Sequence, residues 1–156
     1  QAKCDFDSFR FGASYKSIVS KLKIDPEFVE PQIKGASQQF LFAPGEEVCK
    51  SEKAFQGVAI DFVFLYNELV QIELMGVSES PSLITWAESI YGEIENKPNS
   101  FYEEKPIARW FWESSNALIS YSIESISEEV IETMIIQSLK HQKSYEKFAI
   151  EQEGGK

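Results

Sequence analysis

Arginine is nearly missing from this chain: Arg10 and Arg109 are the only two among 156 residues. With 15 basic residues against 25 acidic ones and a net charge of −10, there is no basic stripe to follow a phosphate backbone. That excludes nucleic acid as a partner, and it disfavours anionic membrane surfaces for the same reason. Long apolar runs are missing as well. The longest, Phe62–Tyr66, is strand length, far below the roughly 20 residues needed to cross a bilayer. No membrane span is expected.

The residues of common catalysis are equally thin. His141 is the only histidine, and it sits in Lys140-His141-Gln142-Lys143, a polar helical context that reads as a solvated surface position. Cys4 and Cys49 lack the CxxC spacing of a zinc or redox site. No glycine-rich phosphate loop, GxSxG or HExxH occurs. Asp5-x-Asp7 is half of a calcium pattern, but no glycine follows at the sixth position of an EF-hand loop. The paired acids Glu103-Glu104 and Glu128-Glu129 leave one hydrolytic reading, a carboxylate pair of the glycosidase type. As adjacent acids in polar loops they read first as solvated. No metal or cofactor is expected, and the chain is read as a non-enzyme.

What is present is a real core. Hydrophobic residues make up 43% of the chain and aromatic ones 13%, enough to bury about 70% of the unfolded surface in one domain. The excess of acid serves solubility, and any partner such a field attracts would be basic. The chain begins at Gln1 rather than Met, which fits a cleaved secretory signal. Two cysteines in polar surroundings predict a single Cys4–Cys49 disulfide in an oxidising compartment. Closing a loop of about 45 residues stabilises a fold by about 4 kcal/mol in the chain-entropy picture. Two free thiols in a cytosolic protein are the alternative.

Along the chain one pattern occurs twice: a short amphipathic helix, then an aromatic-rich strand pair turning at an Asn. Ser14 caps a first helix through Leu22 whose apolar face is Ile18, Val19 and Leu22. Gln38–Ala43 reads as a strand, Phe55–Tyr66 as a second, and Leu69–Met75 as a third after the Asn67-Glu68 turn. Ser80 and Pro81 open the second helix, and Leu83, Trp86, Ala87, Ile90 and Ile94 line its apolar stripe. Strands follow at Ile107–Glu113 and Ala117–Ser125. Ala117, Ile119, Tyr121 and Ile123 then face one way and Ser120, Ser122 and Glu124 the other. Val130–Ser138 is strand or helix, with the alternation Ile131, Thr133, Ile135 favouring strand. Leu139–Phe148 reads as helix and Glu151–Lys156 as a frayed tail.

Asn67–Ile72 aligns with Asn116–Tyr121, giving approximate repeats 9–76 and 80–138 and a C-terminal helix 139–148 within one domain, 1–156. Two αββ units would merge into one antiparallel sheet with helices packed on one face, an α+β fold. In that sheet Trp110 and Trp112 share one side, and Arg109, Phe111 and Glu113 the other. One of those sides is then an aromatic surface able to hold a partner; the alternative is a sheet covered on both faces, or an edge tucked under a loop.

Phe9-Arg10-Phe11-Gly12-Ala13-Ser14, followed by Ile18-Val19 and Leu22, resembles the helix-opening motif of small exported bacterial proteins. These include outer-membrane assembly lipoproteins and the β-lactamase-inhibitor-like fold. Trp86 through Tyr91-Gly92-Glu93, with Trp110 and Tyr121, is similar to the later half of exported proteins of that architecture. The resemblance implies a periplasmic or secreted, non-enzymatic domain that binds another protein, as an inhibitor or an envelope assembly factor. The residues expected to carry binding are Arg109, Phe111, Trp112 and Tyr121. The second reading is a carrier holding a small apolar ligand between sheet and helices. The third is the hydrolase using Glu103 or Glu128.

Overall fold

A computed structural model describes Phe6 and residues 9–78, 82–94, 107–126 and 128–154. The fold is α+β. Six strands, β1 (Gln38–Pro44), β2 (Val58–Leu65), β3 (Glu68–Ser78), β4 (Ile107–Glu113), β5 (Ala117–Ile126) and β6 (Glu129–Ser138), form one open antiparallel sheet in the order β1-β2-β3-β6-β5-β4. Four helices accompany it: α1 (Tyr15–Leu22), α2 (Gly45–Val48), α3 (Leu83–Tyr91) and α4 (Gln142–Gly154).

The palindromic strand order reveals the repeat. Each half is a helix followed by a three-stranded meander, and the third strands, β3 and β6, join the halves. The unit is therefore αβββ, not αββ. Asn67 lies in the second hairpin of its half and Asn116 in the first hairpin of the other. Their matching sequences record similar turn chemistry at non-equivalent places.

The β2–β3 turn is a two-residue hairpin with both Tyr66 and Asn67 at positive φ, 50° and 62°. That backbone matches the right-handed twist of the strands, and Asn tolerates it well. Asn67 also anchors the first helix, because its Oδ1 accepts the Tyr15 amide at 3.0 Å. Ser14 is the N-cap, accepting from the Ser17 amide. Just before it, the Gly12 amide donates to the Leu69 carbonyl and the Leu69 amide donates to the Ala13 carbonyl, both at 2.8 Å. The N-terminal segment is thus laced to the start of β3.

Side-chain parity builds the core. Ile60, Phe62, Leu74, Ile119, Tyr121 and Met134 point to one face and are fully buried beneath α1 and α3. Trp86 of α3 stands edge-on to Phe55 at 4.9 Å and to Phe6 at 5.8 Å between ring centroids. A register shift at Val63/Phe64 breaks the alternation. As a result Val70 joins Val63 and Leu65 in a second, smaller cluster on the opposite face, covered by Tyr66, Tyr145 and Phe148. So α4 sits across the sheet from α1 and α3. It also runs through Gly154, where the sequence reads as a frayed tail.

Among the described residues, one charged residue lies inside the core. Glu132 of β6 is 1% exposed, on the face that Ile131, Thr133 and Ile135 do not use. Its Oε1 accepts the Ser82 amide at 2.8 Å, and its Oε2 accepts the Ile84 amide at 3.2 Å and the Tyr121 hydroxyl at 2.8 Å. A carboxylate from the sheet thereby satisfies the orphan amides at the start of α3. Ser82 precedes the helix and makes no side-chain cap of its own. The expected cap Ser80-Pro81 lies outside the described residues.

Removing a buried, multiply bonded acceptor strips the Ser82 and Ile84 amides and the Tyr121 hydroxyl of the bonds Glu132 makes with them. Glu132→Ala is expected to cost about 3 kcal/mol in urea denaturation. Tyr121→Phe, which removes one donor, should cost about 1 kcal/mol. Equal and small losses from both would show that α3 is not seated by this carboxylate.

Candidate functional site

Parity that buries one face of the sheet must expose the other. The strand registers define a row across all six strands: Phe42, Asp61, Glu73, Ile135, Ser120 and Phe111. At strand spacing this row spans about 24 Å. Its two ends are the most open aromatics of the sheet, Phe42 at 55% and Phe111 at 63% exposure. The neighbouring row brings Met75, Thr133, Ser122 and Arg109 into line, and beyond it Val77 pairs with Ile131 and Ile131 with Glu124. Phe40, Met75 and Val77 are each about half exposed.

The charges on this face are mostly negative. Asp61 and Glu73 stand side by side in register, with Glu113 and Glu124 toward β4 and β5, against Arg109 as the single base of these rows. Gln71 Nε2 donates to Glu73 Oε1 at 2.6 Å. Burial pushes the Asp61 carboxyl above the ordinary carboxylate range, the mark of a charge held among apolar neighbours. The chemistry on offer is an apolar ridge at each side and acid in the middle.

Of the residues expected to carry binding, Arg109 and Phe111 lie on this face and are exposed. Trp112 and Tyr121 do not. The Trp112 indole N–H donates to the Gly92 carbonyl at 2.9 Å, closing the end of α3, and its ring lies 5.9 Å from that of Tyr91. Tyr121 is fully buried and bonded to Glu132. Both thus make tertiary hydrogen bonds within the fold. The sequence reading missed Phe40 and Phe42, although their period-two spacing in β1 was a visible signal. It also missed Asp61 and Glu73, whose adjacency arises only from strand register.

The other candidates separate cleanly. Glu128 and Glu129 are exposed at the β5–β6 turn, while Glu103, Glu104, Asp5 and Asp7 lie outside the described residues. His141 is half-buried rather than solvated. Its Nδ1 meets the Ser138 hydroxyl at 2.7 Å, and that hydroxyl accepts the Lys140 amide at 3.2 Å. Ser138 is 3% exposed, and the three residues form the tight turn from β6 into α4. Cys49 is buried, and no cysteine among the described residues is free; Cys4 lies outside them. Among the described residues no group of three or more His, Cys, Asp or Glu is placed to hold a metal ion, and no helix is long and apolar enough to cross a membrane. No known protein family, curated protein or solved structure matches the chain.

One corner of the open face is occupied by α4. The Tyr145 hydroxyl donates to the Val70 carbonyl at 2.7 Å, and the Tyr66 hydroxyl to Glu151 Oε2 at 2.7 Å, with Lys147 Nζ 4.1 Å from the Tyr66 ring centroid. Burial pushes the Tyr145 hydroxyl up to about 12. Desolvation, then the bond and charge of Glu151, raise Tyr66 to about 12 as well. A phenol raised above its ordinary value near 10 contributes stability that is complete below about pH 10 and is lost as pH climbs through its folded pKa. At least two of the six tyrosines should therefore ionise near pH 12 in a spectrophotometric titration, and Tyr145→Phe should remove one of them. Ionisation of all six together near pH 10 would show that α4 does not dock here.

Proposed function

We propose that this chain is an exported, non-enzymatic protein-binding domain that receives a basic partner on its open sheet face, as an inhibitor or an envelope assembly factor. The observation that carries this reading is the row running from Phe42 to Phe111, with Asp61 and Glu73 between two exposed aromatic ends. The neighbouring rows add Met75 and Val77, each about half exposed, giving exposed apolar surface of the kind that commonly marks an interaction site. Apolar side chains on a partner would seat on the phenylalanines, and lysine or arginine between them would meet the central acids. The net charge of −10 steers such a partner toward the domain.

Defined peptides test the charge and the aromatics separately. A peptide alternating Lys and Val should bind in fluorescence anisotropy, and one alternating Glu and Val should not. The uncharged change Phe42→Ser/Phe111→Ser should weaken the first at least tenfold while shifting stability by no more than about 0.5 kcal/mol. Binding that survives this double change, or that ignores peptide charge, would overturn the reading. Dimerisation of the free chain in sedimentation, lost in the same variant, would instead assign the face to a second copy.

Export is supported by Cys49 not being a free thiol and by the presence of a single further cysteine with which it can pair. Intact mass after alkylation of the unfolded, unreduced protein is expected to show no label at Cys4 or Cys49. Label at both would place the protein in a reducing compartment.

A further inference from the structure

On the core side of the sheet, where β6 ends and β5 begins, a cavity of about 490 Å³ opens beneath the N-terminal segment. Its volume falls within the roughly 300–1,000 Å³ of small-molecule sites. The floor is made by Ile72, Ile119 and Ile136, each almost completely buried. Phe6, Phe9 and Phe11 form the wall, held over the sheet by the backbone bonds of Gly12 and Ala13 to Leu69.

The rim has a different chemistry. Arg10 and Lys140 are exposed there, with His141 beside them, and no carboxylate is among the described residues lining the cavity. In a chain with 25 acids and only two arginines, Arg10 and Lys140 with no carboxylate among the described lining residues set this rim apart from the molecule's overall charge. Composition alone does not give this arrangement, because Arg10 and Lys140 come from opposite ends of the sequence. The turn that carries the second pair is fixed: the buried Ser138 hydroxyl takes the Lys140 amide and meets His141 Nδ1. With the hydroxyl donating to Nδ1, Nε2 becomes the ring's donor. Nε2 lies close to Gly12, 3.6 Å from where a Cβ there would stand, and Gly12 holds a φ of +94° that suits glycine. A Cβ there would make only ordinary van der Waals contact with His141, so it is the φ of position 12 and not a lack of space that calls for glycine.

We propose that this cavity is a binding site for a small apolar molecule bearing one anionic headgroup, a carboxylate or a phosphate monoester. The chain or ring of the ligand lies against the half-buried Phe9, Phe11 and Tyr91 above the isoleucine floor, and the headgroup meets Arg10, Lys140 and His141 at the rim. Arg10 supplies a fork of donors suited to either group, and Lys140 a point charge. The site lies on the face opposite Phe42 and Phe111 and does not depend on the protein-binding reading.

Decanoate, decyl phosphate and decanol titrated calorimetrically into the full chain at low ionic strength test it. One anionic molecule per chain should bind with a Kd in the micromolar range, and decanol at least tenfold more weakly. The tighter of the two anions identifies the headgroup. Arg10→Glu/Lys140→Glu, at exposed positions that leave the core intact, should abolish the preference for the anions and leave decanol unchanged. Lys143→Glu, on α4 and outside the cavity, should bind as the unmodified chain does. The proposal is overturned if none of the three probes binds, if decanol equals the anions, or if the double charge reversal leaves anion binding as it was.

Discussion

Glu132 decides which way this sheet faces. A carboxylate removed from water is tolerable only when its oxygens are met by donors, and here three converge: two amides at the start of α3 and the Tyr121 hydroxyl. Those donors exist on one face of the sheet alone. β6 must therefore turn its even-numbered residues inward, so Val130, Met134 and Ile136 are buried with Glu132. Because strand period is two, Ile131, Thr133 and Ile135 are sent to the other face. The apolar character of the open surface follows from where the acid had to go. The same bond set seats α3, and with it Trp86 against Phe55 and Phe6.

The two αβββ halves are related in topology but not in what covers them. In the first half, the Val63/Phe64 shift turns Val70 outward and gives α4 an apolar footing of Val63, Leu65 and Val70. No such shift interrupts the β4–β5 or β5–β6 registers. Their outer face therefore continues in strict alternation, with Leu118, Ser120 and Ser122 half-exposed and Arg109 and Phe111 exposed. One bulge thus separates the covered corner from the open remainder. It also explains why the exposed residues of the second half align with Asp61 and Glu73 rather than with the tyrosines that hold α4.

Much of this was legible in the sequence, wherever the signal was local. The alternation of Ala117, Ile119, Tyr121 and Ile123 gave β5 its correct face, Ser14 marked the start of α1, and Ile107–Glu113 was read as the strand it is. Parity failed where both faces of a strand are apolar. In β6 the isoleucines at 131 and 135 carry the obvious period, yet the buried set is the one containing Glu132. Its partners lie 11 and about 50 residues away, and no local pattern encodes them. Trp112 and Tyr121 stand out for binding by residue type alone, and the tertiary hydrogen bonds they make are not visible in the local sequence. The Asn67 and Asn116 stretches misled for a related reason: turn chemistry repeats wherever strands reverse, so it aligns hairpins that are not equivalent.

The two faces also divide the molecule's charge. A net of −10 favours a basic partner at long range, yet the cavity rim is cationic. These are compatible because screening limits a charge's reach to about 8 Å at physiological ionic strength. A single layer of sheet has neighbouring layers packed about 10 Å away on each side, so acids on the open face are largely screened from a headgroup at the rim. An anion approaching from solution meets the overall negative field first, which slows its encounter. Once on the rim it interacts mainly with Arg10 and Lys140, whose exposure keeps each ion pair weak, and with the half-buried His141. Retention of such a ligand would then rest on apolar burial against Phe9, Phe11 and Tyr91, with the rim setting which headgroup is accepted. Added salt therefore acts in two directions there, easing the approach of the anion while loosening its headgroup contacts.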